Sequence, residues 1–160
     1  MNIRFATKND VPQILNFIKH LAEYEKLSHE VVATEQMLMD SLFGEKPQAE
    51  VMIAETEDNQ AAGFALFFCN YSTFLAKAGI HLEDLYVLPE FRGLGIGKAL
   101  LKKLAAICIE RDYGRLEWNV LDWNTPAINF YQSQGALLME GWTTNRVTAD
   151  ALSKLASDIS

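Results

Sequence analysis

Leu82-Glu83-Asp84-Leu85-Tyr86-Val87-Leu88-Pro89-Glu90-Phe91-Arg92-Gly93-Leu94-Gly95-Ile96-Gly97-Lys98-Ala99-Leu100-Leu101 reads as a strand, a glycine loop and the opening of a helix. The strand runs from about His81 to Leu88 and stops at Pro89, which has no N–H for a ladder. From Gly95 to Arg111 the side chains Leu100, Leu101, Leu104 and Cys108 recur on one stripe, the mark of an amphipathic helix. Between them, Gly93, Gly95 and Gly97 alternate, so the backbone can approach a ligand closely. Their N–H groups lie beside a helix N-terminus, where an anion is favoured, and Arg92 and Lys98 add positive charge. The loop is a candidate cradle for phosphate or pyrophosphate. It is not a P-loop, because three residues separate Gly93 from Gly97 and Ala99 follows Lys98 where Ser or Thr is needed. Nor is it a dinucleotide fingerprint: the third glycine comes one position early, although Glu117 falls near the required distance of ~20 residues. A flexible turn with no ligand is the third reading.

Outward from this unit, Ile3 to Ala6 reads as a first strand. Val11, Ile14, Leu15, Ile18, Leu21 and Ala22 then mark an amphipathic helix over about 8–26, with Thr7 and Asp10 as a capping-box variant. A second helix covers about 34–43 and ends at Gly44. Glu50 to Glu55 and Ala61 to Asn70 form a hairpin about the polar turn Glu57-Asp58-Asn59-Gln60. Leu116 to Leu121 is a strand, and Thr125-Pro126 opens a short helix that ends near Gly135. Residues 136–147 predict a closing pair of short strands and 149–157 a last helix. No linker, repeat or low-complexity stretch interrupts the chain, so residues 1–160 read as one α/β domain. Hairpins first and crossovers later predict a mixed sheet with helices on both faces.

The chain has 160 residues, close to one domain of roughly 100–200. Hydrophobic residues make up 49% and charged residues 22%, which excludes bulk disorder. The net charge of −7 lacks the electrostatic footprint of a nucleic-acid binder and favours cations such as small amines. The longest uncharged apolar run, Ala61 to Cys69, is far short of the ~18 residues of a membrane span. The N-terminus lacks a signal-peptide core, so a cytoplasmic protein without nucleic-acid or membrane partners is expected. Cys69 and Cys108 read as reduced core residues. Together with His20, His29 and His81 they show no metal-ligand spacing, so no metal is expected.

The Leu82–Leu101 stretch resembles motif A of the GNAT superfamily of N-acetyltransferases. Val120-Leu121-Asp122-Trp123-Asn124-Thr125-Pro126-Ala127-Ile128-Asn129-Phe130-Tyr131, followed by Gly135, resembles the family's second motif. The order and spacing of both motifs, and the coarse order of elements, fit along nearly the whole chain. Among subfamilies the chain is most similar to the diamine (spermidine/spermine) N-acetyltransferases. Leu21-Ala22-Glu23-Tyr24-Glu25, Leu82-Glu83-Asp84, Arg92 to Gly97, and Trp123-Asn124 with Pro126 carry that likeness.

The resemblance implies a mostly antiparallel sheet with a splayed central strand pair, a homodimer, and acetyl-CoA as co-substrate. It implies that Leu85, Tyr86 and Val87 bond the pantetheine arm with their backbone. The diphosphate falls to Arg92, Gly93, Leu94, Gly95, Ile96, Gly97 and Lys98, while Asn124 and Ala127 line the far side. Tyr131 matches the general acid. Glu83 matches the carboxylate that binds the amine or deprotonates it through water, and Tyr24, Glu25 and Glu140 match acceptor-side residues. One departure matters: Ser72-Thr73-Phe74 stands where the diamine subfamily carries Asp-Pro-Trp, which weakens long polyamines as acceptors.

The chemistry is consistent with these roles. An alkylammonium with a pKa of ~10.4 is almost never nucleophilic at neutral pH, so a carboxylate must take its proton. An amide such as that of Val87 can stabilise an oxyanion, and a phenol can protonate the departing thiolate. Read from the residues alone, Tyr131 is equally a core aromatic beside Ala127 and Ile128. Glu83 and Asp84, adjacent on a strand, point to opposite faces. Trp118, Trp123 and Trp142 read as packing residues rather than a cation cage. The function expected is acetyl transfer to a primary amine of a small diamine, polyamine or lysine-like molecule. A non-catalytic acyl-CoA sensor and an acetyltransferase of protein amines are the alternatives.

Overall fold

In the strand Glu50–Glu55 the four consecutive residues from Val51 to Ala54 are all buried, so both of its faces are covered. The computed structural model describes residues 1–157. They divide into two units, Met1–Asn124 and the chain from Thr125 onward. The first unit runs β1 (Asn2–Phe5), α1 (Val11–Tyr24), α2 (Glu35–Phe43), β2 (Glu50–Glu55), β3 (Ala61–Ser72), β4 (Lys77–Val87), α3 (Ile96–Glu110) and β5 (Leu116–Trp118). The strands form one sheet in the order β1-β2-β3-β4-β5. All neighbours are antiparallel except β4 and β5, which α3 joins as a parallel crossover. The expected mixed, mostly antiparallel sheet is therefore the one observed.

Register assigns the two faces. Val51, Ile53, Phe64 and Tyr86 share one face and pack with Val11, Ile14, Leu15 and Phe17 of α1 and Leu38 and Leu42 of α2. Phe17 stacks on Phe64 with ring centroids 5.1 Å apart. Met52, Ala65, Phe67 and Leu82 lie on the opposite face, toward α3, which buries Leu100, Leu104 and Ile107. α1 begins after a single 3-10 turn, Lys8–Asp10, in which the Thr7 N–H donates to Asp10 Oδ2 at 2.7 Å. α2 is capped by Thr34, whose Oγ1 accepts from the Met37 N–H, and Gly44 follows its last residue.

Two features of β4 prepare the site. Its pairing with β5 covers Ile80 to Leu82, opposite Leu116 to Trp118, so Glu83 through Val87 have no strand partner on that side among the described residues. This is the expected splay. Leu82 also faces Phe67 while Asp84 faces Leu66, leaving Glu83 without a partner on β3. Glu83 is thus the extra residue of a β-bulge. The bulge resets the alternation and puts Asp84 and Tyr86 on the α1 face.

Several expectations are corrected. β4 starts at Lys77 rather than near His81, and β5 stops at Trp118 rather than Leu121. The second unit holds α4 (Thr125–Ser133) and α5 (Ala149–Ser157). The strand pair expected over 136–147 does not form among the described residues. Leu137, Leu138 and Met139 break the in–out alternation, and Gly141 at φ +88° turns the chain. A strand also needs a paired edge to persist. Cys69 is exposed rather than part of the core, whereas Cys108 is buried as expected. Trp142, expected to pack, is 80% exposed.

Candidate active site

The β4–α3 loop is built by its glycines. Gly93 and Gly95 both sit at φ +80°, a conformation other residues adopt only with strain. Gly95 is the N-cap of α3, and the Ala99 N–H returns to the Gly95 carbonyl at 2.9 Å. Ile96 is buried and anchors the helix start, while Gly97 and Lys98 complete its first turn. The leading N–H groups of a helix have no acceptor within it. A Cβ built on Gly93 or Gly95 meets nothing within 4 Å, so there is open space beside the loop at both glycines. Open room, backbone donors and the cations Arg92 and Lys98 fit a diphosphate. Leu94 projects outward from the loop and is exposed.

Beside the loop is the splayed end of β4. The Leu88 N–H bonds the Ala62 carbonyl at 2.9 Å, which fixes the alternation in this antiparallel ladder. The backbone groups of Tyr86 therefore turn toward β3, and those of Leu85 and Val87 turn away from it, into the gap left by β5. Among the three β4 residues expected at a pantetheine arm, Leu85 and Val87 present their backbone there. Tyr86 instead sends a buried ring toward α1, where His20 meets it edge-on at 6.2 Å.

The Arg92 side chain turns back from the loop toward the end of β4. Its Nε donates to the Val87 carbonyl at 3.0 Å, and its guanidinium lies 5.3 Å from the ring centres of both Tyr86 and Tyr24. Tyr24, the last residue of α1, donates its hydroxyl to Asn124 Oδ1 at 3.3 Å. Its ring lies 6.3 Å from that of Trp123, over which Lys26 Nζ sits at 5.1 Å. Trp123 is half-exposed, so it is not the packing residue expected.

Glu25, Glu83 and Asp84 form an acidic group at the same end of the unit. Burial raises the Glu25 carboxyl above its usual range, and the charge of Glu83 adds to this. Asp84 is half-buried, and burial, then Glu83, then Glu25, push its pKa up to about 7. The Glu83 side chain is more open, and His81 Nε2 stands 3.6 Å from its Oε2, an ion pair only when the histidine is protonated. Sequence reasoning favours Glu83 and leaves Asp84 aside. The signal that singles out Asp84 is tertiary, since the bulge turns it inward. Groups with shifted pKa values that cluster in this way are candidates for proton transfer.

In the second unit, Ala127 and Tyr131 are four residues apart on α4 and share a face. The Tyr131 ring is partly buried and lies 5.5 Å from that of Phe130. Glu140 is exposed in the turn that contains Gly141. No group of three or more His, Cys, Asp or Glu side chains placed to hold a metal occurs among the described residues.

Comparison with known proteins gives the family and the fold. The model of the acetyltransferase (GNAT) family matches residues 16–136. The chain is 36% identical to the thialysine N-epsilon-acetyltransferase of Mus musculus, over 96% of each chain. It is 34% identical to the L-ornithine N5-acetyltransferase NATA1 of Arabidopsis thaliana, covering 94% of this chain and 85% of that protein. Among solved structures, an integron cassette protein from the mobile metagenome of V. cholerae superposes with a TM-score of 0.80 at 29% identity, covering 97% and 96% of the two chains.

Proposed function

The chain belongs to the acetyltransferase (GNAT) family, on its diamine-acetyltransferase branch, and from that premise we propose the acceptor and the residues of its N-acetyltransferase reaction. The acceptor is a primary amine on a small diamine, polyamine or lysine-like molecule, attacking directly in a ternary complex. The observation that carries this reading is the acidic group of Glu25, Glu83 and Asp84 at the splayed end of β4. Such a group attracts a cation and disfavours anionic acceptors. The two relatives' names, for a thialysine and an ornithine acetyltransferase, point the same way.

Acetyl-CoA, the co-substrate of the family, supplies an acetyl group activated as a thioester. The amides of Gly93 to Lys98, with the charges of Arg92 and Lys98, hold the diphosphate. The outward backbone groups of Leu85 and Val87 hold the pantetheine arm, and Asn124 and Ala127 line its far side. Tyr24, Glu25 and Glu140 contact the acceptor. Glu83, the more exposed carboxylate, receives the ammonium, and the Glu83–Asp84 pair takes its proton at a carboxylate oxygen. Asp84, with its pKa pushed up to about 7, lies close to neutral pH, which general-base transfer favours. The Tyr131 hydroxyl gives up its proton to the departing sulfur.

The family match spans the boundary at Asn124, which supports reading both units as one acetyltransferase domain. We take the enzyme to be a cytoplasmic homodimer without nucleic-acid, membrane or metal partners. No described helix is long and apolar enough to cross a membrane. The exposed Tyr71, Phe74 and Leu75 at the β3–β4 tip offer apolar surface for a second copy, which light scattering tests. The function itself is tested with purified protein, acetyl-CoA and a panel of amines, following free-thiol release. Release that depends on a diamine or lysine-like amine is expected. Coenzyme A binding without turnover on any amine would overturn the proposal.

A further inference from the structure

Arg92 occupies an unusual position for the first residue of an anion-binding loop. Its guanidinium faces the Tyr86 and Tyr24 rings at 5.3 Å each, and its Nε is bonded to the Val87 carbonyl at 3.0 Å. Val87 O is one of the outward backbone groups at the splay. Tyr24 continues the chain to Asn124 through its hydroxyl at 3.3 Å. Loop, strand end, helix α1 and the last residue of the first unit are thus joined through one cation and one phenol. The neighbouring residue Glu25 belongs to the acidic group. A guanidinium suits this place because it donates in its plane and stacks on aromatic faces at once, which an ammonium does not.

We propose that Arg92 is a positioning residue that couples the cofactor loop to the acceptor side by holding Tyr24. The coupling is reciprocal: whatever settles the loop and the Val87 carbonyl also settles Tyr24, and with it the approach to Glu25. The inference rests on the proposed acetyl transfer only in treating the Tyr24–Glu25 end as the acceptor side. Arg92→Lys keeps the charge beside the loop and loses the guanidinium contacts with the two rings. Tyr24→Phe keeps the ring under Arg92 and loses the bond to Asn124.

Trp123 supplies a readout that needs no turnover, since its ring lies 6.3 Å from Tyr24. In a Trp118→Phe, Trp142→Phe background, coenzyme A is titrated while Trp123 emission and calorimetric heat are both followed. The parent protein is expected to shift its emission on saturation. Arg92→Lys, once saturated with coenzyme A, is expected to lose most of that shift, and Tyr24→Phe to lose part of it. Where turnover is measured, Arg92→Lys should raise the acceptor KM ~5-fold or more, in the range of ordinary coupling energies, with a smaller change in kcat. An emission shift that survives in Arg92→Lys at saturation, or is absent from the parent, would overturn the inference. So would an Arg92→Lys that loses coenzyme A affinity and leaves the acceptor KM unchanged. An emission response with no turnover on any amine would instead sink the proposed function and leave the coupling standing.

Discussion

Asp84 faces Leu66 across β3 and β4, on the sheet face that α1 covers. An acid opposite an aliphatic side chain is held toward its neutral form, and here its pKa reaches about 7, through burial first and the charges of Glu83 and Glu25 next. Between its ordinary value of 3.8 and about 7, the folded chain keeps a proton that the unfolded chain releases. Stability therefore falls as pH rises through that window and levels off above it. Denaturation midpoints across the window should show this decline, and Asp84→Asn should flatten it. An unchanged slope in the variant would show that other groups set it. Under the proposed mechanism, turnover also rises as pH passes through about 7, when the carboxylate becomes free to accept.

The loop glycines separate strain from binding. Gly95 sits at φ +80° with open space where a methyl group would stand, so Gly95→Ala costs backbone strain alone, about 1–2 kcal/mol. A melting shift of a few degrees is expected, with coenzyme A affinity in calorimetry weakened ~10-fold, the equivalent of about 1.4 kcal/mol. Unaltered affinity would remove the loop from the cofactor site. Gly63→Ala is a contrasting case. Its Cβ would meet the Tyr86 carbonyl at 2.7 Å, so the β3–β4 ladder must shift, and a larger melting loss is expected.

Tyr131→Phe removes one oxygen from α4. If the hydroxyl protonates the leaving sulfur, kcat falls ~10²-fold or more while coenzyme A affinity stays the same. A variant with parental kcat would return Tyr131 to a packing role.

Arg4 joins three elements at the other end of the sheet. Its Nη atoms bond both Asp10 oxygens at 2.9 Å, and its Nε bonds Glu55 at 2.8 Å. The hydrogen bond from Arg4 holds the Asp10 carboxyl down to about 2, so its contribution is present above pH 3.8 and is lost as pH falls toward 2. Arg4→Met should cost about 1 kcal/mol at neutral pH, given the partial exposure of the group, and move acid unfolding to higher pH. Identical acid transitions in the two proteins would contradict this.

The elements that position the site were legible wherever local chemistry decides them. The strand–glycine–helix run from Leu82 to Leu101, the α1 stripe and the Gly44 stop were all readable, because periodicity and glycine conformation are properties of short segments. Asp84 was not. Alternation says that Glu83 and Asp84 point to opposite faces, but the bulge that decides which one turns inward exists only in the pairing with β3. The partners of Arg92 were also hidden, since Tyr24 comes from α1 and meets it only in the folded chain. The strands expected over 136–147 failed for a related reason, because an extended run of apolar residues does not specify the edge that would pair with it.

The unpaired residue at position 83 also constrains how the gene can change. Removing that one codon would restore simple alternation and leave Asp84 opposite Leu66, but it would take away the more exposed carboxylate of the acidic group. Acceptor preference in this lineage should therefore drift through replacements at this point of the strand, with in-frame insertions or deletions there purged.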